Sequence, residues 1–240
     1  MLKINFFTPF ILFFIWTASS FAQSQTYLSL YKEQLPYFQE IITGGQYKEP
    51  PLNYEGDPYY LNRKFGIGSL SINKITYTEV PLLYDENADA VITFHPIHRQ
   101  KILIKPEKIE EVQLEDGSVF RRLQGNDSYG RHKNGFYRVL QDGEIKVLMK
   151  HYKYVDPTKE VGKFTHRFVE STDYFYWHSG DFVLIRKKKQ AIKSLGLTKK
   201  EVNKYMRDKS IYFSMEKEKY ILELARLKDS KVETFKGFVE

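Results

Sequence analysis

Apolar and polar residues alternate with a period of two through the middle of the chain. IGSLSI (67–72), DAVITF (89–94), KILIK (101–105) and IEEVQL (109–114) follow one another at short intervals, the cadence of an antiparallel meander. ITYTEVPLLY (75–84) belongs to the same series, although its Pro81 lacks the N–H that a central strand uses. Asp-Gly pairs in EDGS (115–118) and QDGE (141–144) predict two-residue hairpin turns, because those residues accept positive φ. GFYRVL and IKVLMKHY flank the second turn. KFTHRFVE (163–170) and DYFYWH (173–178) predict two strands around a polar turn near Ser171, and FVLIR (182–186) closes the series.

Beyond Arg186 the period lengthens to three and four. Thr198 and Glu201 form a capping box, in which hydroxyl and carboxylate each satisfy a backbone N–H at a helix start. Val202, Tyr205 and Met206 then share a face, and a last helix over 214–228 carries Tyr220, Ile221, Leu224, Ala225 and Leu227 on one stripe. Strands first and helices last give a mainly β class: an antiparallel curved sheet, or an open barrel or sandwich, with a C-terminal helical appendage. The expected division is a signal peptide at 1–22, an irregular aromatic lead-in at 23–60, a β domain at 61–186, and a basic helical segment at 187–240 packed on it.

The N-terminal boundary rests on Lys3, the apolar run Phe6 to Trp16, and small residues at Ser20 and Ala22. That is the pattern of a secretory signal peptide cleaved after Ala22. Thr17, Ser19 and Ser20 end the run short of the roughly 20 apolar residues a spanning helix needs. The chain is therefore expected to be exported: periplasmic, outer-membrane associated or secreted. Absence of Cys does not argue against that route.

The formal charge of +7 is local. Residues 186–209 hold ten Lys or Arg and two acidic residues, a net +8, so the rest of the chain is slightly acidic. Arg186, Lys187, Lys188, Lys189, Lys193, Lys199 and Lys200 are the candidate residues for binding an anionic surface. Genomic DNA and cytoplasmic RNA are not ordinary partners of an exported chain, so nucleic acid is not expected. Anionic lipid headgroups or an envelope protein are the implied partners.

Motifs for chemistry are sparse. DENAD (85–89) alternates acidic and amide groups as a calcium loop does, but its sixth and twelfth positions are Ala90 and Pro96 where such a loop needs Gly and Glu; it reads as a polar turn. His95 and His98 in HPIH are weak metal candidates, because zinc needs three or four supported ligands and no Cys or HExxH supplies the rest. His151, His166 and His178 are further imidazoles that sequence cannot place. No Gly-x-Ser-x-Gly elbow and no phosphate-cradling loop is present, FGIGSL (65–70) being a two-glycine fragment. No cofactor or metal is expected. The continuous aromatic run from Tyr174 to Trp177 places rings on both faces of its strand, one for the core and one for either the helices or a ligand.

GGQYKEPPLNYEGDPYYL (44–61), YTEVPLLYD (77–85), the GFYRVLQDG hairpin and KSLGLTKKEVNKYMRDKSIYFS near the end resemble an uncharacterised family of exported bacterial proteins. The resemblance covers nearly all of the chain after the signal and implies export and one shared architecture. It carries no assigned activity or catalytic residues. The expectation is thus a non-enzymatic binding or structural module of the envelope. The alternatives are a hydrolase using carboxylate or His residues in a sheet cleft, and a lipid or small-ligand carrier with a barrel cavity.

Overall fold

In the computed structural model the described residues are 40–42, 44–95, 99–158 and 164–236. The expected signal peptide and His98 lie outside them. Within the unit formed by 44–240, the described strands are β1 (Tyr54–Glu55), β2 (Gly66–Ile72), β3 (Ile75–Asp85), β4 (Ala90–His95), β5 (Gln100–Leu103), β6 (Ile109–Gln113), β7 (Val119–Leu123), β8 (Gly135–Asp142), β9 (Lys146–Pro157), β10 (His166–His178) and β11 (Asp181–Leu184). Helices α1 (Lys188–Ser194), α2 (Lys199–Asp208) and α3 (Lys217–Lys236) follow. The strands form one sheet in the order β1-β10-β9-β8-β7-β6-β2-β3-β4-β5, with β11 on β10. Pairing is antiparallel except for the short parallel β1–β10 contact. The sheet is open and does not close into a barrel.

The alternation read from sequence sets the faces. In β2, Leu70 and Ile72 are fully buried while Ile67 is exposed. Pro81 sits inside β3, between two partner strands, without breaking it. Pairing to β4 starts only at Leu82, and the Pro81 carbonyl accepts the Thr93 hydroxyl instead. The β2–β3 turn places Asn73 and Lys74 at φ 51° and 65°, the positive pair of a type I′ hairpin.

Three local expectations change. Residues 166–178 form one 13-residue strand, with Ser171 and Thr172 paired to Tyr152 and His151 of β9 in unbroken register; no Gly or Pro marks a turn there. EDGS closes as a three-residue loop, Leu114 N–H donating to Ser118 O, and only Gly117 has positive φ. QDGE leads into three residues between β8 and β9, where the Ile145 N–H donates to Asp229 of α3.

The helices cover one face at the β9–β10 end. Ile192, Leu195, Val202, Met206, Tyr220, Ile221 and Leu224 pack on Ile145, Val147, Tyr176 and Ile185, each fully buried aliphatic side chain contributing about 1.5–3 kcal/mol. Thr198 caps α2 by accepting the Glu201 N–H, the hydroxyl half of the expected capping box, while the Glu201 carboxylate pairs with Lys231 instead of the cap N–H. The aromatic run divides between faces. Tyr176 lies under the helices and donates to the Ile221 carbonyl at 2.9 Å, while Phe175 packs with Tyr129 and Tyr137 on the other side.

Candidate functional site

Main-chain pairing between β8 and β9 stops at Arg138–Met149. Past that point the turn of the β3–β4 hairpin fills the free edge of β9: the Lys153 N–H donates to Glu86 O at 3.2 Å, and the Asn87 amide donates to Lys153 O at 2.9 Å. DENAD is therefore a turn, as its sequence indicates, but it is inserted into the fold. Asp85, Glu86 and Asp89 are each at least nine-tenths buried.

Each acid in the turn has a different partner. Asp85 accepts the backbone N–H groups of Asn87 and Ala88, both at 2.8 Å, and the Tyr47 hydroxyl at 2.7 Å. Burial nevertheless raises its carboxyl. Asp89 accepts from the Tyr84 hydroxyl, from the Phe136 N–H at 3.2 Å, and from the Lys150 ammonium at 2.6 Å. Lys150, itself fully buried, also donates to Phe136 O at 2.7 Å. The Asp89–Lys150 pair thus occupies both main-chain groups of Phe136 where the strand ladder has ended. Burial lowers the Lys150 ammonium, and Asp89 opposes that shift.

Glu86 is different. Neither of its carboxylate oxygens has a hydrogen-bond partner among the described residues, and neither ring nitrogen of His151 has one. Glu86 Oε1 lies 3.6 Å from His151 Nδ1, and Oε2 lies 3.4 Å from Lys153 Nζ, which donates to the Tyr59 carbonyl. Glu170 of β10, exposed and opposite Lys153 in register, completes a trio with Glu86 and His151; one ligand atom from each falls within 4.8 Å of the others. The His151 ring is held edge-on against Tyr60 at 5.0 Å, and Tyr60 is in turn fixed by Ser118 at 3.1 Å. Burial pushes the Glu86 carboxyl up to about 7. Burial, with Arg138 and Lys150 adding repulsion, holds His151 down to about 4, so its imidazole is neutral.

Among the described residues, His95, His166 and His178 do not join His151 in a metal-ligating group. His95 ends β4 opposite Gln100, and His166 and His178 stand at the two ends of β10. Only His151 joins a group of three metal-ligating side chains among the described residues. The polar trio left one trace in the sequence, a Lys-His pair at inward positions of the otherwise apolar run VLMKHY.

The candidate anionic-surface residues gather at the start of the helical layer. Arg186, Lys187, Lys188, Lys189, Lys193, Lys199 and Lys200 are all exposed, and none is ion-paired to a carboxylate among the described residues. Gln190 Oε1 accepts the backbone N–H groups of Arg186 and Lys187 and shapes the entry to α1. Lys188 reaches Asn203 of α2 at 3.1 Å and lies 5.4 Å over the Tyr220 ring, whose edge meets Phe213. Lys217 lies 5.0 Å over Tyr174. In the loop between α2 and α3, Tyr212 and Met215 are 55% and 81% exposed. None of the described helices is long and apolar enough to cross a membrane. No protein family, curated protein or solved structure matches the chain.

Proposed function

We propose that this chain is an exported, non-catalytic envelope module that attaches to anionic phospholipid through its helical layer. The observation that carries the reading is that the helical layer holds both features exposed: the cations of α1 and the α2 start, none paired to a carboxylate among the described residues, and Tyr212 and Met215 in the loop that leads into α3. Peripheral attachment draws on both features: charge brings the protein to the headgroups and apolar tips enter them. Lys188 and Lys189 on the first turn of α1, and Lys199 and Lys200 on that of α2, sit where the helix dipole disfavours cations. Helix stability does not explain them. The carrier alternative requires a closed barrel, and the sheet is open.

Co-sedimentation of the purified mature chain with phosphatidylglycerol vesicles tests this, with phosphatidylcholine vesicles and lipopolysaccharide as the other arms. Binding to the first alone, weakened by salt, is expected. At about 1 kcal/mol per lysine near a charged surface, replacing Lys187, Lys188 and Lys189 together by Gln lowers affinity roughly 100-fold. No binding to phosphatidylglycerol, or equal binding by the triple variant, refutes the reading, and preference for lipopolysaccharide reassigns it.

A further inference from the structure

The buried trio of β3–β4 turn, β9 and β10 is the place where the fold leaves polar chemistry unspent. Burying a carboxylate and an imidazole without hydrogen bonds costs several kcal/mol, and here the two face each other. Their 3.6 Å separation is too long for a hydrogen bond. It matches another geometry: two donors each about 2.0–2.2 Å from one tetrahedral ion stand roughly 3.3–3.6 Å apart. We propose that Glu86, His151 and Glu170 bind one divalent first-row transition ion, zinc foremost.

The donor set argues for that class. A neutral imidazole nitrogen with two carboxylates suits zinc and its neighbours, whereas calcium and magnesium select oxygen alone. The supports are in place. Tyr60 packs edge-on against the His151 ring; the Lys153 ammonium lies 3.4 Å from the far oxygen of Glu86, an ion pair without a hydrogen bond, and the near one, Oε1, faces His151. Lys153 is also drawn to Asp57, 3.6 Å away, and bonded to the Tyr59 carbonyl, so its charge is shared among several acceptors. Two ligands are buried and Glu170 is exposed, so an ion enters from the Glu170 side and keeps its fourth position there. Three protein ligands with one open position is the arrangement of zinc sites that exchange a bound molecule. This proposal is independent of membrane attachment.

The test uses the purified mature chain, stripped with chelator and titrated with Zn2+ against a chromogenic competitor and with Co2+ by visible absorption. One ion per chain and a tetrahedral or five-coordinate cobalt spectrum are expected. Glu170→Gln, at an exposed position that does not threaten folding, weakens binding roughly 10- to 100-fold or more, since loss of an outer-shell partner alone has that effect. His151→Gln abolishes the cobalt bands. Failure to take up stoichiometric Zn2+, or uptake that is the same in Glu170→Gln and His151→Gln as in the parent chain, overturns the assignment.

Discussion

Replacing Lys150 by Met removes the ammonium that bonds Asp89 at 2.6 Å and the Phe136 carbonyl at 2.7 Å, while roughly keeping its volume. Asp89 then remains buried as a carboxylate with only the Tyr84 hydroxyl and the Phe136 N–H as partners. Removing one member of a buried pair costs about 3–5 kcal/mol, because the charge left behind is uncompensated. That is a large part of the roughly 5–15 kcal/mol that holds a domain together. The measurement is urea denaturation followed by Trp177 fluorescence and far-ultraviolet circular dichroism. In the double variant Lys150→Met with Asp89→Asn, the buried charge is gone and the single amide oxygen still accepts from one of the two donors, Tyr84 or Phe136. It is expected to recover at least about 1–2 kcal/mol of the loss. A single-variant cost below about 1 kcal/mol, or a double variant whose cost is the sum of the singles, would show that the pair is not the element joining the hairpin turn to β8 and β9.

Gly135 starts β8 directly over that pair, and a Cβ there falls 1.8 Å from Asp89 Oδ2 and 3.0 Å from Lys150 Nζ. Gly135→Ala is expected to cost about 1–3 kcal/mol in the same assay, and a neutral result would mean the pair yields freely. For chelator-treated chain, Glu86 and His151 give opposite pH dependences. Glu86, raised from 4.5 to about 7, adds stability as pH falls through 7; His151, lowered from 6.5 to about 4, removes it as pH falls from 6.5 to 4. Each contributes about 3 kcal/mol over its window, so relative to the parent chain Glu86→Gln loses stability on acidification and His151→Gln gains it. Slopes of the same sign in the two variants, from denaturation curves at pH 7.5 and 4.5, contradict the burial argument.

The sheet was legible because its instructions are local. Alternation alone places Leu70 and Ile72 on buried positions, and the switch of period after Arg186 places the helices. Where punctuation was inferred from a polar residue, it misled: Ser171 and Thr172 are polar yet fully compatible with a strand that β9 pairs along its length. The trio and the ion pair were not legible, and the reason is distance along the chain. Asp89 and Lys150 are 61 residues apart, and a DENAD turn is correctly read as polar whether it faces water or is driven into a sheet edge. What decides between those outcomes is the register at which β8 leaves β9, fixed by partners far away in sequence. A Lys-His step inside an apolar strand was the available signal that something polar waits opposite. Its meaning depended on Glu86 arriving from the hairpin, which no period or spacing encodes. Exposed and buried charges differ in the same respect. The lysines of 186–209 are conspicuous in sequence because nothing neutralises them locally, and they remain exposed in the fold. The charges at Glu86 and Lys150 are inconspicuous as residues and consequential as neighbours, because burial multiplies what each costs until the other side of the contact is supplied.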